Sequence, residues 1–158
     1  MKAASLREIK SELSHSTKEE LLALCLHLSK FKKENKELMT YLLFEANNEE
    51  GFVETVKAEV DELFIHINTQ SYFYMKKTIR KVLRVIKTNI RYSKNKETEV
   101  ELLLYFCECL KELRPSIKYN MLLKNLFKRE LVSIEKKVAL LHEDLQYDYQ
   151  QAIDDLKL

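Results

Sequence analysis

One glycine and one proline, Gly51 and Pro115, constrain this chain of 158 residues more than any motif in it. β-Rich folds need turn residues about every 8–12 positions, and open α/β folds return the chain through Gly-containing loops. A chain poor in both residues reverses direction mainly by short polar connections between helices. The apolar residues agree, because they recur at helical spacing in every long segment. The predicted fold class is all-α, with seven or eight mostly antiparallel helices. Two architectures fit: an α-α superhelix, meaning an armadillo-like stack of helix pairs, or an irregular multi-helix bundle. No Pro/Gly/Ser-rich linker interrupts the chain, so a single domain over residues 1–158 is expected.

In chain order, Leu6, Ile9 and Leu13 mark a first short helix. Ser16 with Glu19, or Thr17 with Glu20, has the spacing of a capping box for the next. That helix carries a stripe of Leu21, Leu24, Cys25 and Leu28. Asn47–Asn48 ends a further helix, and Gly51 is a soft spot near the start of another. Thr98 with Glu101 has capping-box spacing ahead of the apolar run Leu102–Leu113. The segments opening at Thr17 and Thr98 look alike, a faint hint of a repeat. Pro115 is the strongest break, and Ser116 is placed to cap the helix after it.

Tyr72–Arg91 reads as a long central helix with two unlike sides. Met75, Ile79, Val82, Leu83, Ile86 and Ile90 form one side. Lys76, Lys77, Arg80, Lys81, Arg84, Lys87 and Arg91 form the other, with no Asp or Glu between Tyr72 and Lys96. At 100° per residue, Lys76, Arg80, Arg84, Lys87 and Arg91 fall within an arc of roughly 80°. Like charges at these spacings repel by a few tenths of a kcal/mol per pair. Acidic side chains of the fold or an anionic partner would offset that cost. The aromatics Tyr72, Phe73 and Tyr74 open the helix, where at least two are expected to contact the core or an interface.

Motifs for catalysis are absent. With one glycine there is no Gly-rich phosphate cradle, and no HExxH, EF-hand loop, GxSxG or CxxC occurs. Glu12–His15 has the i,i+3 spacing of a helical di-metal ligand pair, but no second copy faces it. His142 with Glu143, Asp144 and Asp148 read as solvated charge or as acids that offset the basic helix within the fold, and the pairs Glu59–Glu62 and Glu108–Glu112 as solvated charge. No catalytic, cofactor or metal residue is assigned, and no cofactor is expected. Cys25, Cys107 and Cys109 give no disulfide framework and predict reduced thiols in a cytoplasmic protein. Cys25 and at least one of the other two are expected to be buried in apolar runs. The apolar stretches are too short to span a bilayer, so no membrane partner is expected.

The net charge of +2 leaves basicity local rather than global. The reading this favours is a soluble helical scaffold or protein-interaction module with another protein as partner. The alternatives are nucleic-acid or polyanion binding through the basic helix 76–91, and an enzyme or small-ligand pocket in a helical bundle.

Overall fold

A computed structural model describes residues 1–157 as eight α-helices, and no strand occurs among the described residues. The chain divides into two compact units, Met1–Phe44 and Glu45–Leu158.

The first unit contains α1 (Leu6–His15), α2 (Lys18–Phe31) and α3 (Lys33–Thr40). Capping sets their starts. Ser5 accepts from the Glu8 amide while the Glu8 carboxylate accepts from the Ser5 amide, and Thr17 and Glu20 do the same for α2. Only Lys32, extended at φ −141°, separates α2 from α3. The two helices pack together, and Asn35 Nδ2 donates to the Leu28 carbonyl at 2.9 Å. A π-helical turn, Tyr41–Glu45, follows α3.

The second unit contains α4 (Glu49–Ile65), α5 (Tyr72–Ser93), α6 (Lys96–Glu112), a 3-10 turn (Ile117–Tyr119), α7 (Met121–Val138) and α8 (Glu143–Leu156). Cross-helix bonds fix its topology. Lys57 Nζ lies 2.7 Å from Glu101 Oε1, and Tyr105 donates to Asp61 Oδ1 at 2.5 Å. Both join residues 44 apart, so α4 and α6 run parallel and in register. Tyr149 donates to Glu97 and Lys111 to the Asp155 carbonyl, which sets α8 parallel to α6. Tyr72 donates to the Ser116 carbonyl and Lys87 to Glu130, which sets α7 parallel to α5. The result is two layers, α4/α6/α8 and α5/α7, with consecutive helices crossing between them.

The hub is α6, not α5. It packs on α4, α5, α7 and α8, whereas the sequence suggests that Tyr72–Arg91 is central. The reason is compositional: α5 is apolar on one side only, while Val100, Leu102, Leu103, Leu104, Phe106, Cys107 and Leu110 make α6 apolar nearly all round. Phe106 is fully buried, with its ring centroid 6.3 Å from that of Phe64.

Three local expectations are corrected. Asn95, not Thr98, caps α6; Thr98 sits in its first turn, buried, and donates to Glu49 at 2.6 Å. Ser93 donates to the same carboxylate, so Glu49 ties the α5–α6 turn to α4. The Thr17 and Thr98 segments both open helices, but only Thr17 is a cap. Ser116 opens only the 3-10 turn, and Asn120 caps α7. Gly51, expected as a soft spot, makes room for a cap. Asn48 accepts from its amide at 3.1 Å, and a Cβ on Gly51 would collide with the Asn48 side chain.

Cys107 is buried, Cys109 is partly buried and Cys25 is exposed. The exposure of Cys25 overturns the expectation that its apolar stripe is covered. No residue of α1, α2 or α3 is buried, so the stripe faces solvent. Burial pushes the Cys107 thiol up to about 12; burial and then the nearby Asp61 carboxylate push Cys109 up to about 11. The thiolate is the reactive form, and raising the pKa removes it at any pH below that value. At pH 8, Cys25 should react with a maleimide orders of magnitude faster than Cys107 or Cys109. Mass spectrometry after timed quenching checks this, and comparable rates at Cys25 and Cys107 would contradict it.

Candidate interaction surfaces

The basic side of α5 follows directly from its amphipathic pattern. Met75, Ile79, Val82, Leu83 and Ile86 are buried against the rest of the unit, which turns the opposite side outward. Lys77, Arg80, Lys81, Arg84, Lys87 and Arg91 are exposed, and Lys76 is partly covered. Arg80, Arg84, Lys87 and Arg91, with Leu83 and Thr88, line a shallow open groove of about 370 Å³.

Its charges are not all equivalent. Lys87 Nζ lies 3.0 Å from Glu130 Oε2 of α7. Glu130 is 2% exposed and is also met by Arg129 at 3.2 Å. A carboxylate held this far from water needs cations beside it, so Lys87 serves the fold. Among the described residues, Lys76, Lys77, Arg80, Lys81 and Arg84 form no ion pair with a carboxylate. The acidic helix α8 packs on α6 and α7. The acid that meets the basic side is Glu130 of α7.

The aromatic opening of α5 also departs from expectation. Only Tyr72 is tied into the fold, by its bond to the Ser116 carbonyl at 2.7 Å. Phe73 is 71% exposed and Tyr74 47%, with the two rings edge to face at 5.5 Å.

The second surface lies in the first unit and is only half legible in the sequence. The stripe Leu21, Leu24, Cys25 and Leu28 is present on α2, but exposed. Leu22 and Leu26, one turn apart on another side of the same helix, are 59% and 51% exposed. Helical spacing alone could have flagged this pair, since a helix apolar on more than one side is normally enclosed by other chains or elements. Glu19 and Glu20 stand at its first turn, Lys30 and Lys32 at its end.

The remaining polar candidates stay apart. His15 Nδ1 lies 2.7 Å from the Ser11 carbonyl, and His142 caps α8 by accepting from the Asp144 amide. His66 and Glu62 sit 3.9 Å apart on the surface. No three His, Cys, Asp or Glu side chains converge among the described residues, and none of the described helices is long and apolar enough to cross a membrane. No protein-family model, curated protein or solved structure matches this chain.

Proposed function

We propose that this protein is a helical protein-interaction module, and that α2 is its docking element for an amphipathic helix of another protein. One observation carries the reading: no side chain of the first unit's three helices is buried, although α2 alone holds five leucines and a phenylalanine. Each of those leucines is 37–59% exposed. Completing the burial of such a side chain gains on the order of 1 kcal/mol. A partner helix laying an apolar stripe along α2 collects several such gains at once.

Charge sets the partner's polarity. The acidic first turn of α2 favours a basic stretch beside it, and Lys30 and Lys32 favour an acidic one. Three cysteines without a disulfide suit a reducing compartment, and we place the protein in the cytoplasm on that basis.

The test is site-specific photocrosslinking in cells, with the probe at Leu22 or Leu26 and a control at the exposed Glu59 of α4. A discrete adduct is expected at both α2 positions, absent at Glu59, and lost when Glu19→Lys and Lys30→Glu are combined. Adducts equal at all three positions, or indifferent to the charge reversal, would refute the docking role.

A further inference from the structure

The exposed Phe73 lies on the same line as a row of cations on α5. At 100° per residue, Phe73, Lys77, Arg80, Arg84 and Arg91 fall within an arc of roughly 60°. Along the axis, Arg80 lies about 10 Å from Phe73 and Arg91 about 27 Å, at about 1.5 Å per residue. The line therefore begins with a bare aromatic ring and continues as positive charge. Tyr74 stands edge-on to Phe73 at 5.5 Å and 79°, which leaves the Phe73 ring braced yet 71% exposed.

We propose that this face binds single-stranded nucleic acid, independently of any partner of α2. Lys77, Arg80 and Arg84 take successive backbone phosphates, and Phe73 takes a base on its ring. Both halves are needed. Cations alone would suit any polyanion, and an exposed ring alone would suit any apolar surface. Together, on one straight helix face, they match a polymer that carries flat rings and negative charge in alternation. A duplex supplies the charge but keeps its bases paired and stacked, so the ring has nothing to receive. An acidic peptide supplies carboxylates without regular ring faces. Lys87 is left out of the set, because Glu130 already occupies it at 3.0 Å.

The experiment uses the full chain, a fluorescein-labelled 15-mer of thymidine, the matching 15-base-pair duplex and a poly-glutamate peptide of equal charge. Anisotropy is read from 25 to 200 mM KCl. The single strand should bind more tightly than the duplex or the peptide. Log K should fall with log salt at a slope of about −2, from three phosphates at about −0.7 each. Arg80→Gln with Arg84→Gln should weaken binding and flatten the slope by about 1.4. Phe73→Ala should weaken the single strand about tenfold, leaving the slope and the duplex unchanged. The chain has no tryptophan, so Phe73→Trp adds one reporter, and its emission should be quenched by the oligonucleotide.

Circular dichroism checks that each variant is folded, and Phe73→Trp keeps the ring test open if the alanine variant is not. Three results would overturn the proposal. They are no single-strand binding by the wild type at 25 mM KCl, peptide binding as tight as the oligonucleotide, or unquenched indole emission from the Phe73→Trp variant together with undiminished binding by Phe73→Ala.

Discussion

Phe106→Ala should lower the stability of the second unit by about 4 kcal/mol, the largest loss expected from a single side chain here. Phe106 is fully buried on α6, the helix that packs on α4, α5, α7 and α8. Truncation removes the apolar transfer term, and it also leaves a void whose lining loses its contacts with the ring, Phe64 among them. Phe106 sits on the helix that four others pack against, so its surroundings have little freedom to collapse. A loss of this size is a large fraction of the stability of an ordinary domain, and it should lower the melting temperature by roughly 15 °C or more. Thermal unfolding followed at 222 nm checks it. A cost under about 1 kcal/mol would mean that the hub is placed wrongly.

The second expected result is an asymmetry between two partners in one ion pair. Lys87→Met should cost about 2 kcal/mol, while Glu130→Leu should cost less than about 1 kcal/mol. The two ends of the pair differ in what they leave behind. Removing Lys87 leaves a carboxylate that is 2% exposed with only Arg129 to meet it. Removing Glu130 leaves an ammonium whose side chain is 50% exposed and which water can solvate. An apolar side chain of similar volume also fills the Glu130 site. The double variant should therefore recover most of the stability lost in Lys87→Met. Urea unfolding of the four proteins closes the cycle. A larger loss from Glu130→Leu than from Lys87→Met would show that the carboxylate is a structural anchor rather than a tolerated buried charge.

The same pair shows where reading the sequence stops. The two sides of α5 are legible because apolar and basic residues each repeat at helical spacing within 22 residues, and burying one side exposes the other. Glu130 is not legible, because its burial depends on Lys87, 43 positions away. The stripe on α2 is legible as a stripe but not as a surface, since whether it is covered depends on neighbours that its own sequence does not name. Thr98 misleads for a different reason. Asn95 and Thr98 are both good cap residues three positions apart, and the choice is made by Glu49, which accepts from Thr98 across the unit. The open ring of Phe73 is hidden when an aromatic triplet is assigned to the core as a group, because only Tyr72 has a partner there.

The bonds Lys57–Glu101 and Tyr105–Asp61 share one spacing, 44 residues, and that makes the α5 hairpin between them a ruler. Its composition is free to vary wherever a side chain faces solvent, but its length is not. Deleting one residue from α5 would rotate the part of that helix after the deletion by about 100° and advance every residue of α6 against α4. Both pairs would then lose register together, because a helix cannot shorten by one residue without rotating its faces by about 100°. Lineages of this protein should therefore accept many substitutions in the segment between the pairs and very few insertions or deletions within its helices, with length changes confined to the turns and to segments outside residues 57–105.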